Sequence, residues 1–136
     1  MKVIIIGGVA GGMSAATRLR RLREDAEITV YEMGEHVSYA NCGLPYFVSD
    51  VIAKRELLLL QTPESLWDRF RIAVKVNNMV TAIDKAAKTV SVLNIQTGAT
   101  STDSYDKLII STGAKPRKLN IPGIERAMTL RNVVDA

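Results

Sequence analysis

The sequence VIIIGGVAGG at residues 3–12 is the strongest indication of the fold, because it joins a short apolar strand to a glycine-rich turn. Val3 to Ile6 is apolar and β-branched, which is typical of a buried parallel strand. Gly11 to about Glu24 has the pattern of a helix, and Glu27 to Glu32 has the pattern of a second strand. We therefore predict that the chain opens with a β-α-β unit with a right-handed crossover.

The glycine-rich turn is suited to hold the phosphates of a dinucleotide. A tight turn after a strand points the N–H groups of a helix N-terminus at a pyrophosphate. Gly7 permits the turn and Gly12 lets the helix pack closely on the strand, although Val9 occupies the middle glycine position of the G-x-G-x-x-G pattern. Glu32 follows about twenty residues later, where a carboxylate accepts the ribose hydroxyls of an adenine dinucleotide. A glycine-rich connection in some other α/β domain is the alternative.

Cys42 is the only cysteine of the chain and lies in the stretch SYANCGLPY at residues 38–46. Because no second cysteine is present, a reactive thiol here would cycle through a mixed disulfide or an oxidised sulfur. We predict that Cys42 begins a helix that reaches about Val51, with Pro45 in its first turn. A helix N-terminus favours the reactive thiolate. The alternative is an inert, buried cysteine.

The remaining elements follow from capping and periodicity. Thr62 and the proline after it indicate the start of a helix that carries an apolar face. We predict strands at residues 72–76, 80–83, 89–93, 100–105 and 108–110, of which the middle three are antiparallel. Residues 130–136 resemble a strand end passing into a helix, which predicts that the sequence is a fragment of a longer protein.

Composition narrows the function classes. The 136 residues suffice for one domain, and no apolar run approaches the ~20 residues of a membrane helix. One cysteine and no targeting segment favour the reducing cytoplasm. One cysteine and one histidine, His36, cannot form a metal-ligand set, so we expect no metal.

Four arginines fall within six residues, at positions 18, 20, 21 and 23. They predict either a solvated helix face or a patch that binds the phosphates of an anionic ligand. We do not expect nucleic acid as the partner, because no recognised module is present and aromatic residues are few.

The chain resembles the single-cysteine branch of the FAD-dependent pyridine nucleotide–disulfide oxidoreductases in four stretches, at residues 4–12, 38–46, 58–64 and 104–114. The branch includes coenzyme A disulfide reductases, persulfide reductases, NADH oxidases and NADH peroxidases, and NCGLPY is most similar to the first two. The resemblance implies an α/β, Rossmann-like FAD/NAD(P)-binding domain with a central parallel sheet and a three-stranded antiparallel β-meander. Residues 1–136 would be the N-terminal part of the FAD-binding domain. The NAD(P)-binding and dimerisation domains would be absent, which leaves this chain inactive alone.

The resemblance also implies individual roles. Cys42 would be the redox nucleophile, reduced by FAD that receives electrons from NAD(P)H, in a homodimeric parent enzyme. Coenzyme A, as disulfide or persulfide, would be bound by Ser14, Arg18, Arg21, Ser38 and Asn41. FAD would be bound by Gly7, Gly8, Val9, Ala10, Gly11, Gly12, Glu32, Val80, Thr112 and Gly113.

Two other functions stay open from the sequence. In an NADH oxidase or peroxidase, Cys42 would cycle through a sulfenic acid. In a nucleotide-binding module without redox activity, Cys42 would have no chemical role. The choice between NADH and NADPH, and the presence of a rhodanese domain, are also open.

Overall fold

The computed structural model describes residues 1–136. Its strands and helices follow one another in the order β1 (Lys2–Ile6), α1 (Ala10–Leu22), β2 (Glu27–Tyr31), α2 (Leu44–Val48), α3 (Pro63–Phe70), β3 (Ile72–Lys75), β4 (Asn78–Asp84), β5 (Thr89–Asn94), β6 (Thr100–Ser104) and β7 (Lys107–Ile110). Short 3-10 turns cover Asn41–Gly43, Arg55–Leu58 and Ile124–Arg126. None of the helices has the length and apolar character needed to cross a bilayer.

A four-stranded parallel sheet in the order β3-β2-β1-β7 forms the centre of the fold. Its middle strands, β1 and β2, are mostly apolar because both faces of the sheet are covered. On one face, Val3 and Ile5 pack with Leu66 of α3 and with Met13 of α1. On the other face, Ile4 and Ile6 pack against the second sheet. The predicted β-α-β unit and the α/β fold class are confirmed.

The second sheet is the predicted antiparallel meander, in the order β4-β5-β6. A polar cluster fastens it to the parallel sheet. The Asp103 carboxylate accepts hydrogen bonds from the Tyr31 hydroxyl at 2.8 Å and from Lys2 Nζ at 2.5 Å. Burial, followed by the bond to Asp103, raises the pKa of Tyr31, which therefore remains a donor. These bonds hold the meander against one face of the parallel sheet, from Lys2 at the start of β1 to Tyr31 at the end of β2.

Helix α3 begins where the sequence predicts. The Thr62 side chain accepts from the Ser65 amide at 3.2 Å, and the Ser65 hydroxyl accepts from the Thr62 amide at 2.9 Å. These two bonds form a capping box. Leu66 is then the residue that anchors α3 to the core.

Two predictions of local structure need correction. The helix predicted from Cys42 to about Val51 forms with Pro45 in its first turn, but α2 covers only Leu44–Val48, and Cys42 lies before it in a 3-10 turn closed by the Gly43 amide on the Ala40 carbonyl. Residues 130–136 form neither strand nor helix. The Asn132 side chain instead accepts from the amides of Val134 and Asp135, which closes a turn.

Candidate functional site

A cleft of about 250 Å³ opens at the carboxyl ends of β1 and β7, and is called the large cleft below. This edge of a parallel sheet is the usual ligand site of open α/β folds. The large cleft is lined by the glycine-rich turn (Gly7, Val9, Ala10, Gly11), the loop after β2 (residues 32–36), Tyr39, Asn41, residues 111–114 after β7, and residues 131–134.

The floor of the large cleft requires glycine at two positions. Gly7 has φ +103°, and a Cβ there would lie 2.1 Å from the Ser111 carbonyl oxygen. A Cβ on Gly12 would lie 1.8 Å from the Gly7 carbonyl oxygen. The two sequence-based roles, a tight turn at Gly7 and close packing at Gly12, are therefore confirmed.

The N-terminus of α1 faces the large cleft without a protein cap. Val9 precedes the helix and makes no side-chain cap, and no acidic residue stands in the first turn. Ala10 and Gly11, in that turn, line the large cleft. Because the first amide groups of a helix have no partner inside it and carry a positive partial charge, this end suits an anion.

Glu32 stands between the large cleft and a smaller one of about 90 Å³, called the small cleft. Its carboxylate accepts from the amides of Gly8 at 2.7 Å and Gly34 at 2.8 Å, which fix its position. The small cleft is bounded by Val80 and the start of β4. Gly7, Glu32 and Thr112 line both clefts, so the two form one elongated trench.

The loop that carries Cys42 runs outward from the large cleft. Ser38 has φ +50° and donates its amide to the Gly8 carbonyl at 2.8 Å. Tyr39 and Asn41 line the large cleft, and the buried Oδ1 of Asn41 has no hydrogen-bond partner. Burial raises the pKa of Tyr39, although the charge of Arg131 opposes the shift. Cys42 itself is exposed and is not in the lining.

The four arginines of the basic run differ in whether their guanidinium groups bind other groups of the protein. Arg20 donates to the carbonyls of Phe70 at 2.7 Å, Glu24 at 2.6 Å and Arg71 at 2.9 Å. Arg23 pairs with a neighbouring carboxylate, so both residues are engaged within the protein.

Ser14, Arg18 and Arg21 are exposed on α1 at a spacing of four and three residues, which places them on one helix face. Neither arginine has an ion pair or a hydrogen bond with the protein. This face lies outside the large cleft, on the helix whose first turn lines that cleft.

Comparison with known proteins places this geometry in a family. The pyridine nucleotide-disulphide oxidoreductase family matches residues 1–136. The chain belongs to that family.

Several members resemble the chain over nearly its whole length. A coenzyme A disulfide reductase from Staphylococcus epidermidis is 42% identical over 134 residues, covering 98% of this chain and 30% of the relative. The structure of CoADR-RHD from Bacillus anthracis has a TM-score of 0.94 at 50% identity, covering 98% of this chain and 25% of that one. The NAD-dependent persulfide reductase from A. fulgidus has a TM-score of 0.91 at 38% identity, covering 99% of this chain and 25% of that one.

The water-forming NADH oxidase from Lactobacillus brevis is also similar, with a TM-score of 0.83 at 35% identity, covering 92% of this chain and 28% of that one. The chain thus spans about 30% of the length of the curated relatives it matches. These relatives confirm the predicted oxidoreductase family and its Rossmann-like fold.

The structure brings most of the predicted cofactor-binding residues together at the two clefts. The large cleft is lined by Gly7, Val9, Ala10, Gly11, Glu32, Thr112 and Gly113, and the small cleft is lined by Val80. Gly8 and Gly12 are buried beneath the lining. Of the predicted substrate residues, only Asn41 lines the large cleft. The role of Cys42 beside the cofactor stays a prediction.

Arg131 is the only arginine or lysine in the lining of the large cleft, and the sequence did not predict it there. Its Nε donates to the Ala114 carbonyl at 2.9 Å, and its amide donates to the Asp135 carboxylate at 2.7 Å. The guanidinium reaches to 3.1 Å from where a Cβ on Gly113 would stand. No motif marks Arg131, because 17 residues separate it from the carbonyl that orients it.

No group of three His, Cys, Asp or Glu side chains is arranged to hold a metal ion. His36 lines the large cleft with its Nε2 at 3.0 Å from Glu35 Oε1.

Proposed function

We propose that this chain is the N-terminal, FAD-binding part of an NAD(P)H-dependent flavoprotein that reduces coenzyme A disulfide or a coenzyme A persulfide at Cys42. The observation that carries the proposal is one loop, which runs from the large cleft through Asn41 to the exposed thiol of Cys42. The names of the coenzyme A disulfide reductase and persulfide reductase relatives agree with it. We further propose that NAD(P)H and a second subunit contact parts of the enzyme outside residues 1–136. A free thiol at Cys42 suits the reducing cytoplasm.

The residues of the trench fit FAD. The uncapped end of α1 and the Arg131 guanidinium offer positive charge to the pyrophosphate. Glu32 keeps lone pairs free for the ribose hydroxyls, and the small cleft beside Val80 suits the adenine. When bound, FAD supplies the transfer of two electrons from NAD(P)H to sulfur.

Cys42 acts on the substrate as a nucleophile. Its thiolate attacks one sulfur of the disulfide, the sulfur–sulfur bond breaks, and one coenzyme A thiolate leaves. The second coenzyme A remains in a mixed disulfide with Cys42. Two electrons reduce this bond, which restores the Cys42 thiolate and releases the second coenzyme A as a thiolate that takes up one proton.

The neighbouring residues position the ligand. Asn41 lines the large cleft, and a rotation of its side chain brings the unpartnered Oδ1 to a ligand donor, while Ser38 provides a hydroxyl on the same loop. Arg18 and Arg21 bind the phosphates of coenzyme A, because their guanidinium groups have no protein partner.

The test is the variant Cys42→Ser in the complete enzyme. With coenzyme A disulfide as the acceptor, we expect NAD(P)H oxidation to fall by at least about 10³-fold, as for loss of other catalytic nucleophiles. Ser101→Ala, in the exposed part of the meander, is the control and should keep full activity. Unchanged activity in Cys42→Ser would instead support a nucleotide-binding module in which the thiol has no role.

Mass analysis of the oxidised enzyme separates the proposal from the oxidase or peroxidase alternative, which the similarity to an NADH oxidase favours. A coenzyme A adduct on Cys42 supports disulfide or persulfide reduction. One added oxygen on Cys42 supports a sulfenic acid cycle and refutes the proposed acceptor.

A further inference from the structure

A strap formed by residues 129–135 carries Arg131 into the large cleft. The Asp135 carboxylate closes this strap on itself, because it accepts from the Arg131 amide at 2.7 Å and from the Thr129 hydroxyl at 3.2 Å. The Arg131 Nε donates to the Ala114 carbonyl, which fastens the strap to the cleft wall that follows β7. These bonds fix the shape of the strap and provide its first anchor.

The second anchor of the strap is the loop that carries Cys42. Val133 is 1% exposed and packs in a small apolar cluster with Leu44 and Leu58. Leu44 follows Cys42 by two residues. The Leu58 carbonyl accepts from the Ala40 amide at 2.8 Å, so the segment of Leu58 is itself paired with the same loop. The strap therefore joins the wall after β7 to the loop that carries the thiol.

Arg55 supplies a polar bond at this second anchor. Its Nη2 donates to the Val133 carbonyl at 2.8 Å, from a position 78 residues away in the sequence. Arg55 opens the 3-10 turn that ends at Leu58, and it has no carboxylate partner. Apolar contacts of Val133 are non-directional, whereas a hydrogen bond to its carbonyl fixes the orientation of the peptide. This peptide lies two residues from Arg131, so its orientation governs where the Arg131 guanidinium is held.

We infer that Arg55 is a positioning residue of the cofactor site, which acts through Val133 to hold Arg131 where the pyrophosphate of FAD binds. Arg55 itself lies outside the lining of both clefts, so its effect on the ligand is indirect. A donor that is already held in place loses less conformational freedom when the anion binds. The inference rests on the proposed function for its ligand.

The test is the FAD affinity of the complete enzyme after removal of its flavin, measured by the change in flavin fluorescence on binding. Arg131→Gln should weaken binding about tenfold, from the loss of a charged contact to phosphate. Arg55→Gln should weaken binding by about three- to tenfold, because Arg131 is no longer held in place. Arg55→Lys keeps a cationic donor and should bind FAD more tightly than Arg55→Gln does.

A double-mutant cycle separates positioning from a general loss of stability. If Arg55 acts through Arg131, the variant with both substitutions should bind FAD no more weakly than Arg131→Gln alone. A merely structural role predicts instead that the two losses multiply. Lys54→Gln is the matched control, because it removes an exposed cation from the adjoining position and should leave FAD binding unchanged.

Four results would overturn the inference: unchanged FAD affinity in Arg55→Gln, unchanged affinity in Arg131→Gln, multiplied losses in the double variant, or an equal loss in Lys54→Gln. Each is distinguishable from failure of the proposed function. The coenzyme A adduct on Cys42 is measured on the parent enzyme at saturating FAD and does not depend on how Arg131 is held.

Discussion

Replacing Gly12 by alanine tests the packing that creates the floor of the large cleft. The new Cβ would lie 1.8 Å from the Gly7 carbonyl oxygen and 3.2 Å from Ile5 Cγ2. Favourable contacts need about 3.5 Å, so α1 must move away from β1 by about 1.5 Å. Met13 and Ala16, buried on the same helix, then lose contacts. We expect a cost of about 4 kcal/mol from strain and lost packing, and a gain of about 1 kcal/mol from helix propensity.

The net loss of about 3 kcal/mol corresponds to a fall of about 1.5 M in the urea midpoint for an m-value of about 2 kcal/mol/M. Urea unfolding followed by far-UV circular dichroism measures it. Gly11→Ala is the matched control, because its Cβ would meet only the Ser111 hydroxyl, at 2.5 Å, which can rotate away. Because that variant has the same propensity gain of about 1 kcal/mol without the backbone clash, it should be at least as stable as the parent chain. Equal midpoints for Gly12→Ala and the parent chain would refute the close approach of helix and strand.

Two further predictions concern the arginine run and the polar cluster of the meander. Arg20→Gln should lower the free energy of unfolding by about 2 kcal/mol, because carbonyls at the helix ends lose a charged donor. Arg18→Gln should leave the free energy of unfolding unchanged in the same urea titration. Equal losses in the two variants would contradict the conclusion that Arg20 binds the protein and Arg18 does not. For Asp103, burial raises the pKa, but hydrogen bonds from Lys2 and Tyr31 outweigh it, so the folded-state pKa is lowered. Its contribution to stability is therefore present above the unfolded-state pKa of about 3.9 and is lost as the pH falls through the lower folded value. Urea midpoints from pH 7 down to pH 3 should converge for the parent and Asp103→Asn, and a constant gap would contradict this account.

Local chemistry explains why much of the fold was predictable from the sequence. The apolar run Val3–Ile6, the glycine at position 7 and the capping residue Thr62 each act within a few residues of themselves. Such residues favour the same local structure in any fold that buries the strands. The helix predicted from Cys42 begins two residues later, at Leu44, because an i→i+3 bond at Gly43 first closes a 3-10 turn.

Partners distant in the chain explain what the sequence did not reveal about the site. Arg18 and Arg20 are equivalent in the pattern of the basic run, yet Arg20 is committed to carbonyls some 50 residues away. Arg131 enters the large cleft only because the chain folds back on the residues after β7. Neither fact has a signature in residue spacing.

The unpartnered carbonyl of Asn41 has an energetic consequence for ligand discrimination. A buried acceptor without a donor costs the ligand-free protein about 1–3 kcal/mol, and a ligand that supplies the missing N–H or O–H recovers that amount on binding. Two ligands of equal shape that differ only in this donor should therefore differ in affinity by about 5- to 150-fold. On the proposed function, an imperfection of the unliganded protein at a single oxygen atom would thus serve to select the ligand.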